Sequence, residues 1–151
     1  MFSHNENELI KIGQVLGQLL EAHDVLVLSG DLGAGKTTIT KGIALGLGIE
    51  QMIKSPTYTI VREYDGRLPL YHLDVYRIEN DPDSIDLDDF LFGEGVTVIE
   101  WGELLKENLP KDYLQVEILK RDDGREIIFT PTGNRSQVLF SRLIDKVENK
   151  W

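Results

Sequence analysis

The chain has 151 residues, 41% of them hydrophobic, no cysteine and a net charge of −10. That length closes around one core, and the missing thiols exclude disulfides, thiolate catalysis and cysteine-ligated zinc. The acidic balance speaks against direct RNA or DNA binding, which draws most of its affinity from cationic contacts to phosphate.

From Asn5 to about Leu20, the positions Leu9, Ile12, Leu16, Leu19 and Leu20 repeat at helical spacing, with Asn5 and Glu8 placed as a capping box. Asp24 to Ser29 is apolar enough to be a strand buried on both faces. It runs into Gly30-Asp31-Leu32-Gly33-Ala34-Gly35-Lys36-Thr37-Thr38, after which Ile39, Ile43, Ala44 and Leu47 mark a second helix stopped by Gly46 and Gly48. A polar stretch to Thr57 precedes a predicted hairpin, Tyr58–Tyr64 and Leu68–Tyr76, joined at Asp65-Gly66. The acidic segment Asp81–Phe92 predicts a short helix and Val96–Trp101 a buried strand. Tyr113–Lys120 and Arg125–Pro131 predict a second hairpin around Asp123-Gly124. Asn134 to about Val147 predicts a closing amphipathic helix, with Asn134-Arg135-Ser136 as its cap.

Gly30 to Thr37 reads G-x-x-x-x-G-K-T, the Walker A pattern, and it stands where that pattern must stand, between a strand and a helix. Glycines let successive N–H groups turn toward phosphate oxygens, and the following helix adds the positive end of its dipole. Asp31, Leu32, Gly33, Ala34, Gly35, Lys36, Thr37 and Thr38 are therefore the expected contacts to a nucleoside triphosphate, with the Lys36 ammonium on the outer phosphates and the Thr37 hydroxyl on Mg²⁺. Two hairpins cannot enter an all-parallel sheet. The expected fold is a single α/β P-loop NTPase domain spanning residues 1–151, its mixed, mostly parallel sheet carrying antiparallel hairpin additions and flanked by helices.

Hydrolysis needs more than a cradle. Val96-Thr97-Val98-Ile99-Glu100 has the form of a Walker B strand, and Glu100 would emerge at its carboxyl end. It would bind Mg²⁺ directly or through water, or orient the attacking water; the bland alternative is a solvated strand-end acid. Trp101 either covers the nucleotide or packs in the core. In His72-Leu73-Asp74-Val75-Tyr76-Arg77, alternation sets His72, Asp74 and Tyr76 on one face, which suggests a cleft. Asp74 is the second candidate for the Mg²⁺ shell or for water orientation, against a plain surface strand. Ser55-Pro56-Thr57-Tyr58-Thr59 lies where a switch segment would sit, although Ser-Pro also starts ordinary turns. The acids between Glu79 and Glu94 either dock a basic partner or form a solvated face. Residues Met1 to Glu6 lack the basic and apolar regions of a secretory signal, and no apolar run nears the ~20 residues that span a bilayer. A cytoplasmic protein without membrane contact is expected.

Taken together, the Gly30–Thr38 loop, Ser55–Thr59, His72–Arg77 and Ile99-Glu100-Trp101 resemble the TsaE family in order and spacing, over nearly the whole chain. The resemblance implies a bacterial ATPase that supports formation of threonylcarbamoyladenosine at position 37 of tRNA. It also implies association with the TsaD–TsaB protein complex, with tRNA engaged only indirectly. Carried over by position, Lys36 and Thr37 bind phosphates and Mg²⁺, Glu100 is a Mg²⁺ ligand or catalytic acid, Asp74 and Trp101 are linked to activity, and Thr57 gains weight as a switch residue. A small-molecule kinase is the principal rival, weakened because no arginine stands between Arg77 and Arg121 to build a lid over the γ-phosphate. A guanine-reading GTPase would need an Asn-Lys-x-Asp string that is not present.

Overall fold

The computed structural model describes residues 1–30, 34–50, 61–74, 94–100 and 109–150, with the backbone alone at Val61, Asp74 and residues 148–150. In chain order the elements are β1 (Phe2–Ser3), α1 (Glu6–Leu19), β2 (Val25–Gly30), α2 (Lys36–Gly46), β3 (Val61–Tyr64), β4 (Leu70–Asp74), β5 (Val96–Glu100), β6 (Leu114–Arg121), β7 (Gly124–Pro131) and α3 (Asn134–Lys150). The seven strands form one sheet in the order β1-β7-β6-β2-β5-β4-β3. Its middle is parallel, β2 pairing with both β5 and β6, and β4 with β5. The antiparallel pairs β3–β4, β6–β7 and β1–β7 extend it on both sides. A mixed α/β sheet with hairpin additions is thus what forms. The predicted acidic helix 81–92 and the outer ends of the first hairpin lie outside the described residues.

Alternation along the central strands divides their side chains between two faces. Leu26 and Leu28 of β2, Val96 and Val98 of β5, and Leu114, Val116 and Ile118 of β6 join one core with Leu9, Ile12 and Leu16 of α1, Ile39 and Ile43 of α2, and Leu139 and Leu143 of α3. Val25, Val27, Leu73 and Ile99 alternate to the other face and are equally buried. The central strands are therefore enclosed on both sides, as their unbroken apolar composition requires.

Helices α1 and α2 cross at backbone contact. A Cβ at Gly13 or Gly17 would collide with the carbonyl oxygens of Ile39 or Ile43, and one at Gly42 or Gly46 with those of Ile10 or Gln14. Gly46 is the last residue of α2, as expected, and serves packing as well, while Gly48 turns the chain away after the Leu47 cap with φ +74. Gly48 N–H donates to the Leu45 carbonyl at 3.1 Å and Ile49 N–H to the Ala44 carbonyl at 2.9 Å, closing a Schellman motif.

Two caps depart from expectation. Asn5 Oδ1 accepts from Glu8 N–H at 2.9 Å, but the Glu8 carboxylate accepts from His4 N–H at 2.6 Å, one residue before the capping position. At α3 the carboxylate of Asp112, remote in sequence, accepts from the Arg135 and Ser136 amides at 2.8 and 2.9 Å. Ser136 Oγ meanwhile accepts from the Thr132 and Gly133 amides, both at 3.0 Å. The short strand β1, unforeseen in the sequence, pairs Phe2 with Glu126 and Ser3 with Arg125.

Candidate functional site

Strand β2 reaches its end at Gly30, where φ is +138 and a Cβ would strike the Ile118 carbonyl oxygen of β6. Only glycine leaves the sheet by this route. The chain returns to description at Ala34, which is buried, and Gly35 with φ +124 opens α2. Among the described residues no side chain caps that helix start, and no acid stands in its first turn. Its first amides are accordingly left for another acceptor, at the end where the dipole is positive. Lys36 is only 7% exposed, and its Nζ donates to the Gly30 carbonyl at 2.7 Å, pulling the ammonium back across the loop mouth. Thr37 and Thr38 follow, half-buried. On the sheet side, Gln115 Nε2 of β6 donates to Ser29 Oγ at 3.0 Å, just ahead of the turn.

Beside β2 runs β5, buried along its whole length and ending in a carboxylate. Register sets Glu100 opposite Leu28 of β2 on one side and opposite Asp74 of β4 on the other. The ends of β5 and β4 are thereby aligned, one and two strands from the loop. Glu100 is 6% exposed, and its Oε2 lies 3.1 Å from Nε2 of His72, whose ring is wholly buried. Where a cleft was expected, His72 itself makes a closed interior contact, its ring fully buried against Glu100. The side chain of Asp74, and residues Asp31, Leu32, Gly33, Thr57 and Trp101, lie outside the described residues.

Sequence reasoning missed a second part of this region. A cavity of about 240 Å³ opens against the start of α2, bordered by Ser3, His4 and Asn5 from the N-terminal segment, Ala34 and Gly35 from the loop, and Arg125 from β7. Arg125 Nε donates to the Ala34 carbonyl at 2.9 Å and its Nη1 to the Gly124 carbonyl at 2.9 Å. A guanidinium is thus fastened to the loop itself. Nothing in the sequence marks this arginine beyond its position after an Asp-Gly pair. The β6–β7 hairpin and the pairing of β1 with β7 carry it there.

These features suit a metal-bound polyphosphate. Among the described residues no three His, Cys, Asp or Glu side chains converge as a metal cage. Magnesium needs none: it takes one or two protein oxygens and fills its octahedron from phosphates and water. The Thr37 hydroxyl and the Glu100 carboxylate are hard oxygen donors of that kind.

Fold and loop together define a P-loop α/β domain. The family model described as "Threonylcarbamoyl adenosine biosynthesis protein TsaE" matches residues 3–127. A Bacillus subtilis protein named tRNA threonylcarbamoyladenosine biosynthesis protein TsaE is 49% identical over 142 residues, 92% of this chain and 89% of the relative. A Treponema pallidum protein of the same name is 45% identical over 128 residues, 83% of this chain and 95% of the relative. The crystal structure of Bacillus subtilis YdiB superposes with a TM-score of 0.86 at 44% identity, covering 97% of this chain and 93% of that one. The chain belongs to the TsaE family. Among the described residues no helix is long and apolar enough to cross a membrane.

Proposed function

We propose that the chain binds Mg-ATP on the Gly30–Thr38 loop and hydrolyses it slowly, in the cytoplasm, in support of tRNA N6-threonylcarbamoyladenosine formation. The observation that carries this reading is the start of α2 behind Gly35, uncapped by any described side chain, with the Lys36 ammonium held by the Gly30 carbonyl. Family membership supplies the pathway, since relatives that share almost half their residues with this chain are named for it.

On this reading the α2 amides receive the β-phosphate, and Lys36 exchanges the Gly30 carbonyl for the β- and γ-phosphate oxygens. Magnesium held there would supply charge neutralisation to those oxygens. Thr37 and Glu100 hold it, with Asp74 as a further acid at the aligned strand ends, and Glu100 or Asp74 orients the attacking water. Thr57 senses the γ-phosphate and Trp101 shields the site. The cavity beside Arg125 takes the nucleoside: His4 offers a ring face, Phe2 stands edge-on to it at 4.9 Å, and the guanidinium adds positive charge. The family resemblance implies TsaD and TsaB as partners, and a net charge of −10 fits a chain that leaves tRNA to them.

The test separates binding from turnover. Lys36→Ala is expected to abolish measurable ATP affinity in calorimetry, whereas Glu100→Ala keeps ATP affinity and lowers turnover by about 10²–10³-fold. Wild-type ATP affinity in Lys36→Ala refutes the loop assignment; undiminished turnover in Glu100→Ala refutes that of the acid.

A further inference from the structure

His72 has been given no task, yet it is the most completely buried polar side chain in contact with the site. Its ring is 0% exposed, on a strand whose neighbours Leu70 and Leu73 are also fully buried. Its Nε2 meets one oxygen of Glu100, Oε2, at 3.1 Å. Nδ1, the other ring nitrogen, is buried with no hydrogen-bond partner among the described residues. Burying a polar ring this way costs stability unless the contact it makes is wanted.

We infer that His72 is a positioning residue for Glu100: its Nε2–H donates to Oε2, locks the carboxylate rotamer at the end of β5, and leaves Oε1 as the oxygen directed to the metal. The inference rests on the metal role proposed for Glu100. Three observations support it. A free Glu side chain has three rotatable bonds, and at a strand end nothing else described holds this one. Parallel register sets His72 opposite Val98, so its ring reaches the carboxylate two residues further along the same face of β5 from a rigid base. The partner assignment also selects the tautomer. A proton on Nδ1 would be a buried donor without an acceptor, whereas a bare Nδ1 lone pair is the milder loss, so the proton belongs on Nε2, where Glu100 accepts it. Groups that orient a metal ligand in this way govern metal affinity without touching the metal.

The experiment uses the full-length chain loaded with ADP and titrated with Mn²⁺, read by electron paramagnetic resonance. His72→Leu is expected to weaken Mn²⁺ by about 10–100-fold while ADP affinity without metal stays within about threefold. His72→Gln, whose amide can donate to the same oxygen, should restore Mn²⁺ binding to within about threefold of wild type. Wild-type Mn²⁺ affinity in His72→Leu, or no rescue by His72→Gln, overturns the inference. Glu100→Ala run in parallel distinguishes the two claims. If it alone loses Mn²⁺, Glu100 keeps its metal role and His72 loses its task. If it too binds Mn²⁺ normally, the metal role itself falls. Independently of metal and of variant folding, ¹⁵N spectra of the wild-type histidines should place the His72 proton on Nε2 and show that resonance displaced in Glu100→Gln. An Nδ1–H tautomer overturns the inference.

Discussion

At the scale of single residues, the candidate site combines two kinds of group. Lys36 and Glu100 belong to motifs legible along the chain, whereas His72 and Arg125 are brought in by strands distant in sequence. Arg125 spends two of its donors on backbone carbonyls of Ala34 and Gly124, so it props the loop as well as charging the cavity. Arg125→Ala is therefore predicted to weaken ATP by about tenfold, near 1.4 kcal/mol, with a smaller effect on inorganic triphosphate, which does not fill the cavity. Competition titrations of the two ligands check it; equal losses would assign Arg125 to the phosphates alone.

At the scale of elements, the α1–α2 crossing controls the geometry of the site, because α1 carries the N-terminal segment that walls the cavity and α2 carries the phosphate loop. Gly42→Ala would drive a Cβ into the Ile10 carbonyl. Overpacking of this kind costs about 1–3 kcal/mol, offset by about 1 kcal/mol of better helix propensity. The expected outcome is a lower urea midpoint with an unchanged slope, together with weaker ATP binding; a midpoint at or above wild type would refute it. Helix α3 depends on a different device. Burial pushes the Asp112 carboxyl up, but the Ser136 and Arg135 hydrogen bonds and the Arg135 charge outweigh it and hold Asp112 below the ordinary carboxylate range. A group whose folded-state pKa is depressed stabilises the fold above its unfolded-state value, and that contribution disappears as pH falls through the folded-state value. Asp112→Ala should thus cost about 0.5–2 kcal/mol at pH 7, as loss of a cap does. The difference from wild type should shrink as pH drops below about 4. Denaturant melts at pH 7 and pH 3 measure both; a pH-independent difference would show that the cap works through packing alone.

The same network locks α3 to the α1–β2 junction. Arg135 Nε and Nη2 donate to the two oxygens of Asp24 at 3.0 and 2.9 Å, and Asp24 also accepts from Glu21 N–H at 2.8 Å. The last helix therefore braces the end of the sheet where β2 begins, opposite the phosphate loop. Anchorage and chemistry occupy different ends of the central strand.

At the scale of the whole molecule, charge decides what the chain can touch. At −10 over 151 residues the isolated protein repels a phosphate backbone beyond the local pull of its loop. No appreciable affinity for tRNA is expected at about 0.15 M salt, with or without ATP, where even non-specific binders with basic surfaces reach only about 10⁻⁴–10⁻⁶ M. Fluorescence anisotropy with labelled tRNA checks this, and micromolar binding by the chain alone would refute it.

Local chemistry was legible in the sequence wherever neighbours along the chain cooperate. The Walker loop, the helix spacing of α1 and α2, both hairpins and the buried character of β2 and β5 all follow from contacts within a few residues, whose constraints are written in composition and period. The Gly30–Thr38 loop and Glu100 could be singled out for the same reason. The end of α2 at Gly46, with Gly48 beyond it, was legible in the sequence, but the packing of Gly46 against α1 was not, because helix termination and close approach ask for the same residue. The α3 cap was assigned to its own first turn because Asp112, the group that does the work, arrives from across the hairpin. Strand β1, two residues long, has no period to detect and exists only because the edge of β7 is there to pair with it. Composition and motif determined the fold class, the charge and most of the order of the described elements. Tertiary structure alone decided that Arg125 would meet Ala34 and that His72 would hold Glu100, since those contacts join residues 91 and 28 apart in sequence, a proximity that only strand order in the sheet creates.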